Sequence, residues 1–263
     1  MKLSISNIAW TADQDEAVYR LMRQHGFTGL EIAPTRIFPD NPYDKLEEAH
    51  TWAKRLKREH VLEISSMQSI WFGRQENMFA SKEERRVLLD YTKKAIDFAV
   101  AVGCKNLVFG CPRNRVISDA SDAGAGIRFF QEIGNYAYAK GTVIGMEANP
   151  TIYHTNYINS TADALELIEK VHSKGFLLNL DLGTMIQNGE TIDVLYGKIR
   201  YINHVHISEP LLRTIRERKI HIQLREALRA ERYCGFISIE MSGVVDLKSL
   251  ENCMVYVRRV MNE

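Results

Sequence analysis

The feature that most constrains this chain is a strand–helix alternation repeated eight times. Short runs rich in β-branched and large apolar residues occur at 2–8, 28–33, 61–67, 105–110, 142–148, 176–182, 201–207 and 235–240, their starts 26, 33, 44, 37, 34, 25 and 34 residues apart. Between them lie segments with helical spacing of apolar residues, such as DEAVYRLMRQHG, EERRVLLDYTKKAIDFAVAVG and TADALELIEKVHSKG. Gly26, Gly103 and Gly175 each precede a strand and serve as helix stops able to take positive φ. Asn159 or Ser160 is positioned to cap the helix that starts at TADALELIE. Parallel strands joined by helices through right-handed crossovers close into an α/β architecture, a single (β/α)8 TIM barrel. A length of 263 residues suits one such domain spanning 1–263. An open doubly wound sheet would place a Gly-rich phosphate turn after its first strand, and Asn7–Ala9 followed by Trp10 supplies none.

Bulk properties exclude several classes of function. A formal net charge of +1 gives no concentrated basic face for nucleic acid, and the basic stretch RTIRERKIH (213–221) is expected to be a solvated loop and helix face. No run of about 20 uncharged apolar residues marks a membrane span. The four cysteines, Cys104, Cys111, Cys234 and Cys253, show neither CxxC spacing nor a dense framework. That argues for a reducing compartment and against thiolate-bound zinc. With no signal peptide evident, the expected location is the cytoplasm.

The last four strand runs carry the chemistry. VIGMEANP, FLLNLDLG, INHVHISE and FISIEMSG each lead into one polar group, namely Glu147, Asp181, His206 and Glu240, at intervals of 34, 25 and 34 residues. In a parallel barrel these side chains emerge at the C-terminal mouth, where the active sites of this fold lie. Three carboxylates and an imidazole would hold one divalent ion and leave positions open for substrate oxygens. Such an ion polarises a carbonyl, and a flanking glutamate can take a proton from the neighbouring carbon. The competing reading of each residue alone is a helix N-cap or an ion-pair partner.

Other strand ends offer substrate contacts: Glu31 after the second strand, Gln68 after the third, Arg113 and Arg115 after the fourth, and His154 beyond the fifth. Either arginine suits a phosphate or carboxylate, or a structural ion pair. Trp10, Trp71, Phe72 and Tyr153 could wall a sugar ring, although for each of them loop packing is the commoner role. His25, His50, His60, His172 and His221 are expected at surfaces or helix ends. His204 is assigned to the opposite face of its strand, toward the helices, leaving His206 as the ligand.

The motifs GFTGLEIAP, MEANP, LDLG, HVHISEP and SIEM, spread over nearly the whole chain, resemble those of the xylose isomerase-like TIM-barrel superfamily. Within it, the resemblance is to the sugar phosphate isomerase/epimerase group and its ketose 3-epimerases. It implies Mn²⁺ or Co²⁺ (Mg²⁺ and Zn²⁺ being the alternatives) held by Glu147, Asp181, His206 and Glu240, with no organic cofactor. It further implies that Glu147 and Glu240 are catalytic, facing opposite sides of the substrate carbon. One would withdraw a proton to give a cis-enediolate and the other would return one. A homodimer or homotetramer acting on a small sugar is implied as well. The chain departs from that pattern at Thr184, where D-x-x-H is usual, and at Tyr153, where a glutamate is expected; His154 and Glu209 are the polar groups available instead. The alternatives are an inosose-type dehydratase or a hydroxypyruvate-type isomerase on the same barrel. More remote are endonuclease-IV-like DNA repair, which would need several more histidines at strand ends, and a non-catalytic sugar-binding protein.

Overall fold

The computed structural model describes residues 1–118, 123–243 and 246–262. Eight parallel strands close into one barrel in sequence order. They are β1 (Lys2–Ser6), β2 (Gly29–Ile32), β3 (Glu63–Met67), β4 (Leu107–Phe109), β5 (Ile144–Met146), β6 (Phe176–Asp181), β7 (Ile202–Ser208) and β8 (Phe236–Glu240). β1 pairs with β8 as well as β2, which seals the barrel and removes the open sheet from consideration. Helices alternate with the strands: α1 (Asp15–Gln24), α2 (Pro34–Ile37), α3 (Leu46–His60), α4 (Lys82–Ala101), α5 (Ala123–Lys140), α6 (Thr161–Val171), α7 (Leu182–Asn188), α8 (Lys219–Ala230) and α9 (Leu247–Asn262). Among the described residues, no helix is long and apolar enough to cross a membrane.

Local chemistry sets the helix ends. Ser160 caps α6 by accepting from the Asp163 amide while Asp163 reaches back to the cap amide, a reciprocal arrangement of the kind that contributes about 1 kcal/mol. Gly26 and Gly103 take positive φ, as their positions suggest. Gly175 does not: α6 is terminated by His172 in the left-handed conformation. A Cβ on Gly175 would meet the carbonyl oxygen of Gly134 at 2.0 Å, so glycine is needed there for the close approach of α5 to the start of β6.

The barrel interior is unusual in chemistry. Such barrels are commonly filled by Val, Ile and Leu. Here Leu3, Ile5, Leu30, Ile32 and Ile237 belong to the hydrophobic core, while a buried polar set comprises Ser4, Ser6, Ser65, Ser66, Asn106, Asn179, His204, His206 and Ser238. Ser4 and Ser65 meet at 2.5 Å from non-adjacent strands, and Asn106 on the approach to β4 donates to Asn179 of β6 at 3.3 Å. Buried hydroxyls and amides must find partners, and across the interior they find one another. The result is a polar floor beneath the barrel mouth.

Candidate metal centre

The parallel register stacks the functional side chains in layers. Asp181 of β6 lies beside His206 of β7, which lies beside Ser238 of β8; one step nearer the mouth, Ser208 lies beside Glu240. Glu147 follows the end of β5 directly, with its amide bonded to the Phe109 carbonyl of the neighbouring strand. One ligand atom from each of Glu147, Asp181, His206 and Glu240 lies within 4.8 Å of all the others. His206 Nδ1 is 2.9 Å from Glu147 Oε1 and 3.1 Å from Glu240 Oε2.

Each ligand is held by its neighbours. Asn179, two residues before Asp181, donates to Glu147 Oε1 at 2.9 Å, and Asn149 donates to Glu147 Oε2 at 3.2 Å. Asp181 accepts from Ser208 through Oδ1 and from the Thr184 amide at 2.7 Å through Oδ2. Asp181 therefore does cap α7, the competing reading of a strand-end acid, and its remaining lone pairs are still available to a cation. At Gly110, just past β4, a Cβ would stand 2.8 Å from Glu147 Oε2, so the absence of a side chain there makes room for that carboxylate.

The electrostatics are those of a carboxylate cluster sharing one cation. Burial, with Glu147 and Asp181 nearby, outweighs the pull of His206 and pushes the Glu240 carboxyl up to about 8. Asp181 is also raised, by burial and then by Glu147. His206 titrates well above its ordinary range because Glu240 and Glu31 overcome the cost of burying its charge. Burial also disfavours charge on Glu31, but the two imidazoles more than offset this and hold its carboxyl well below the usual range. Three oxygen-donor side chains and one imidazole, in a buried space, match the donor preference of a divalent ion such as Mg²⁺ or Mn²⁺. His206 Nε2 sits 2.9 Å from Glu31 Oε2, the outer carboxylate that metal-ligating histidines commonly carry. By donor set and by support, the residues fit such an ion.

The remaining sequence candidates scatter more widely. Gln68 is buried and donates to Ser6 Oγ at 2.6 Å and to Glu31 Oε1 at 3.1 Å. Glu31 is fully buried, underneath His206 rather than at the mouth. Trp10 is buried with its indole N–H on Asp15 at 2.7 Å, yet it lines a groove of about 830 Å³ together with Arg36, Phe72 and Arg74. Arg113 is exposed on a second groove of about 530 Å³ that shares Phe72. His154 is exposed, with φ of 61°. Both grooves are built by loops at the C-terminal ends of the first four strands, the same end of the barrel that carries the quartet.

Several expectations are corrected. His204 does not face the helices: residues two apart in a strand share a face, and its Nε2 lies 3.0 Å from Glu31 Oε2, inside the barrel with His206. Arg115 binds no ligand at the mouth; it is fully buried, donating to the carbonyls of Tyr157 and Glu147 at 2.7 and 3.0 Å and to Asn149 Oδ1 at 2.6 Å. Trp71 takes the packing role and not the ring-wall one: it is core, its indole bonded to Thr92. Glu209 is held by Arg218 at 2.7 and 2.5 Å. His221 is buried against the Tyr256 hydroxyl at 2.8 Å rather than at a surface. Asn149, Asn179 and Ser208 were not singled out from the sequence. Their signal is position, two residues from Glu147 and Asp181, or two beyond His206.

A closed parallel barrel with three carboxylates and an imidazole gathered at the ends of its last four strands defines a class of (β/α)8 proteins with a candidate divalent-cation site. Residues 19–251 match the model of the xylose isomerase-like TIM barrel family, and the chain belongs to that family. Among solved structures it is similar to a 3-keto-D-glucoside 4-epimerase from E. coli, at 21% identity and a TM-score of 0.78, covering 98% of this chain and 99% of that one. It is also similar to a D-psicose 3-epimerase from Clostridium cellulolyticum H10, solved with D-tagatose, at 16% identity and a TM-score of 0.77 over 100% of this chain and 98% of that one. Another D-psicose 3-epimerase, solved in the presence of D-fructose, superposes with a TM-score of 0.80 at 15% identity, over 100% of both chains. At these identities the likeness is one of fold. No curated protein matches the chain in sequence.

Proposed function

We propose that this protein, acting as one domain over 1–263, is a divalent-metal-dependent sugar isomerase or epimerase that moves a proton on and off a carbon beside a carbonyl. The observation that carries this reading is the pair of glutamates, Glu147 and Glu240, both brought to His206 Nδ1, at 2.9 and 3.1 Å. A divalent ion held by Glu147, Asp181, His206 and Glu240, Mn²⁺ or Co²⁺ in the first instance, would supply polarisation of the substrate carbonyl and its neighbouring hydroxyl.

The protein's own groups do the rest. Glu147, held at both oxygens by Asn179 and Asn149, has a fixed carboxylate to aim at a substrate C–H. Glu240, buried on the adjacent side, is able to carry the second proton. One carboxylate takes the proton, leaving an enediolate, and the other returns one, so the carbon or its neighbour changes configuration without net redox change. Asp181 is pinned by Ser208 and Thr184 and serves as a ligand alone. The solved epimerases of the same fold act on small ketoses and keto-glucosides by name, which supports a sugar or keto-sugar as the substrate class. Trp10, Phe72 and Arg113 lie on the grooves that would receive its non-reacting end, and His154 is exposed on the loop beyond β5. The free cysteines fit a cytoplasmic location.

A screen of ketoses, sugar phosphates and keto-polyols in deuterated water with Mn²⁺ tests the reading. Deuterium should enter a carbon next to the carbonyl of at least one sugar. Exchange accompanied by loss of water from a keto-polyol would replace the epimerase reading with a dehydratase one, and no exchange with any of them would overturn the proton-transfer reading.

A further inference from the structure

Glu31 is 0% exposed, and so is the imidazole of His206 above it. Glu31 Oε2 lies 2.9 Å from His206 Nε2 and 3.0 Å from His204 Nε2, the latter off the line that a hydrogen bond needs. Its other oxygen accepts from Gln68 Nε2 at 3.1 Å, and Gln68 is itself anchored on Ser6 Oγ at 2.6 Å. The carboxylate is thus roofed by one imidazole, flanked by a second and oriented by an amide, with no path to a substrate at the mouth.

The His206 ring is bound at both ends. Nε2 faces Glu31, while Nδ1 faces Glu147 and Glu240. A neutral imidazole carries one proton, and only the nitrogen without it can ligate a cation. A carboxylate on Nε2 places the proton there and turns the lone pair of Nδ1 toward the other three ligands. We propose that Glu31 is a positioning residue. It holds His206 in the Nε2–H form so that Nδ1 can bind a divalent cation, and Gln68 and Ser6 fix Glu31 for that task. This rests on the metal reading above and extends it to β1–β3, giving two residues suggestive of substrate contacts a different job. Carboxylate–histidine–metal links of this kind are typically worth 10–100-fold in metal affinity.

The test uses the whole chain and two independent readouts. Mn²⁺ titration followed by electron paramagnetic resonance should give one ion per wild-type chain. The dissociation constant should rise about 10–100-fold in Glu31→Gln and by less in Gln68→Leu, with all four ligands intact in both. In wild-type protein labelled with ¹⁵N-histidine and loaded with diamagnetic Zn²⁺, His206 should carry its proton on Nε2 and show a metal-shifted Nδ1. That spectrum needs no variant, so it decides the matter even where Glu31→Gln fails to fold. A wild-type His206 ligated through Nε2, or unchanged Mn²⁺ affinity in Glu31→Gln, would overturn the proposal while leaving the metal reading in place. So would two ions per wild-type chain falling to one in Glu31→Gln, since Glu31, His204 and His206 would then be ligands of a second ion. A wild-type chain that binds no Mn²⁺ would remove the metal reading and this proposal together.

Discussion

Strands β5–β8 lead to Glu147, Asp181, His206 and Glu240, whose ligand atoms crowd within 4.8 Å of one another. Around the same mouth, β1–β4 end near Ser6, Glu31, Gln68 and Gly110, and above them open grooves of about 830 and 530 Å³ lined by Trp10, Phe72, Arg36, Arg74 and Arg113. In the first half, charges are concentrated, buried and cross-braced. In the second, the guanidinium groups of Arg36 and Arg74 are already paired, with Asp15 and Glu76, and Phe72 is 67% exposed. The contrast teaches that one half of the barrel gathers its carboxylates and imidazole into a buried cluster, the half to which we assign a cation and proton transfer, while the other half braces that cluster from below and opens into grooves above.

Four tests would break or sharpen that contrast. The largest effect belongs to the pair proposed to transfer protons: Glu147→Gln and Glu240→Gln should each cut substrate C–H exchange by about 10²–10⁴-fold with the fold intact, read by deuterium incorporation and circular dichroism. If either variant keeps full exchange, the division of labour between the halves is wrong.

Next come the two arginines after β4. Arg115→Met leaves the buried carbonyls of Tyr157 and Glu147 and the Asn149 amide oxygen without their donor, and should cost about 3 kcal/mol in chemical denaturation. Arg113→Met, on the exposed rim, should stay within about 0.5 kcal/mol of wild type and act only on KM. Equal losses from both would show that the rim is as structural as the interior.

The third test is removal of metal. The folded-state pKa of Glu240, about 8, lies above its ordinary value of 4.5, so folding favours the protonated form. That contribution is complete below pH 4.5 and is lost as pH rises through about 8. His206 acts with the same sign, since its pKa is raised and its contribution is present below its ordinary 6.5. His204 and His221, whose buried imidazoles are held below their ordinary 6.5, act with the opposite sign up to that pH and add no slope above it. The melting temperature of the metal-free protein should therefore fall by several degrees between about pH 7 and pH 9, and saturating Mn²⁺ should flatten the dependence. A metal-free protein that gains stability over that range would contradict the charge balance described. The smallest effect is on the groove side: Phe72→Ala should raise KM a few-fold with kcat unchanged, because it removes contact area and no reacting group.

Much of this was legible in the sequence, for identifiable reasons. Seven of the eight strands fall within their apolar runs, and β7 extends one residue past its own to Ser208, because a central parallel strand needs such a run; the quartet stands out because charge at a strand end has no bland reason to recur on four successive strands. What escaped is the second message in the same runs. S-I-S in β1, N-L-D in β6, H-V-H in β7 and S-I-E in β8 alternate with period two, so their polar members all point into the barrel. Taken that way, the pattern puts His204 with His206, and Asn179 with Asp181. Arg115 and Glu31 were illegible for a different reason. Whether a charged residue just past a strand turns up into the mouth or down into the interior depends on partners more than 30 residues away, such as Tyr157 for Arg115 and His206 for Glu31. Gly175 likewise carries no mark in its own neighbourhood of the α5 backbone that excludes a side chain there.

The most direct test of the central claim is a Mn²⁺ titration of purified, chelator-treated protein, with stoichiometry read from bound and free metal. One ion per chain is expected, lost in His206→Ala and in Asp181→Ala. A chain that takes up no divalent ion, or one whose uptake ignores both substitutions, would contradict it.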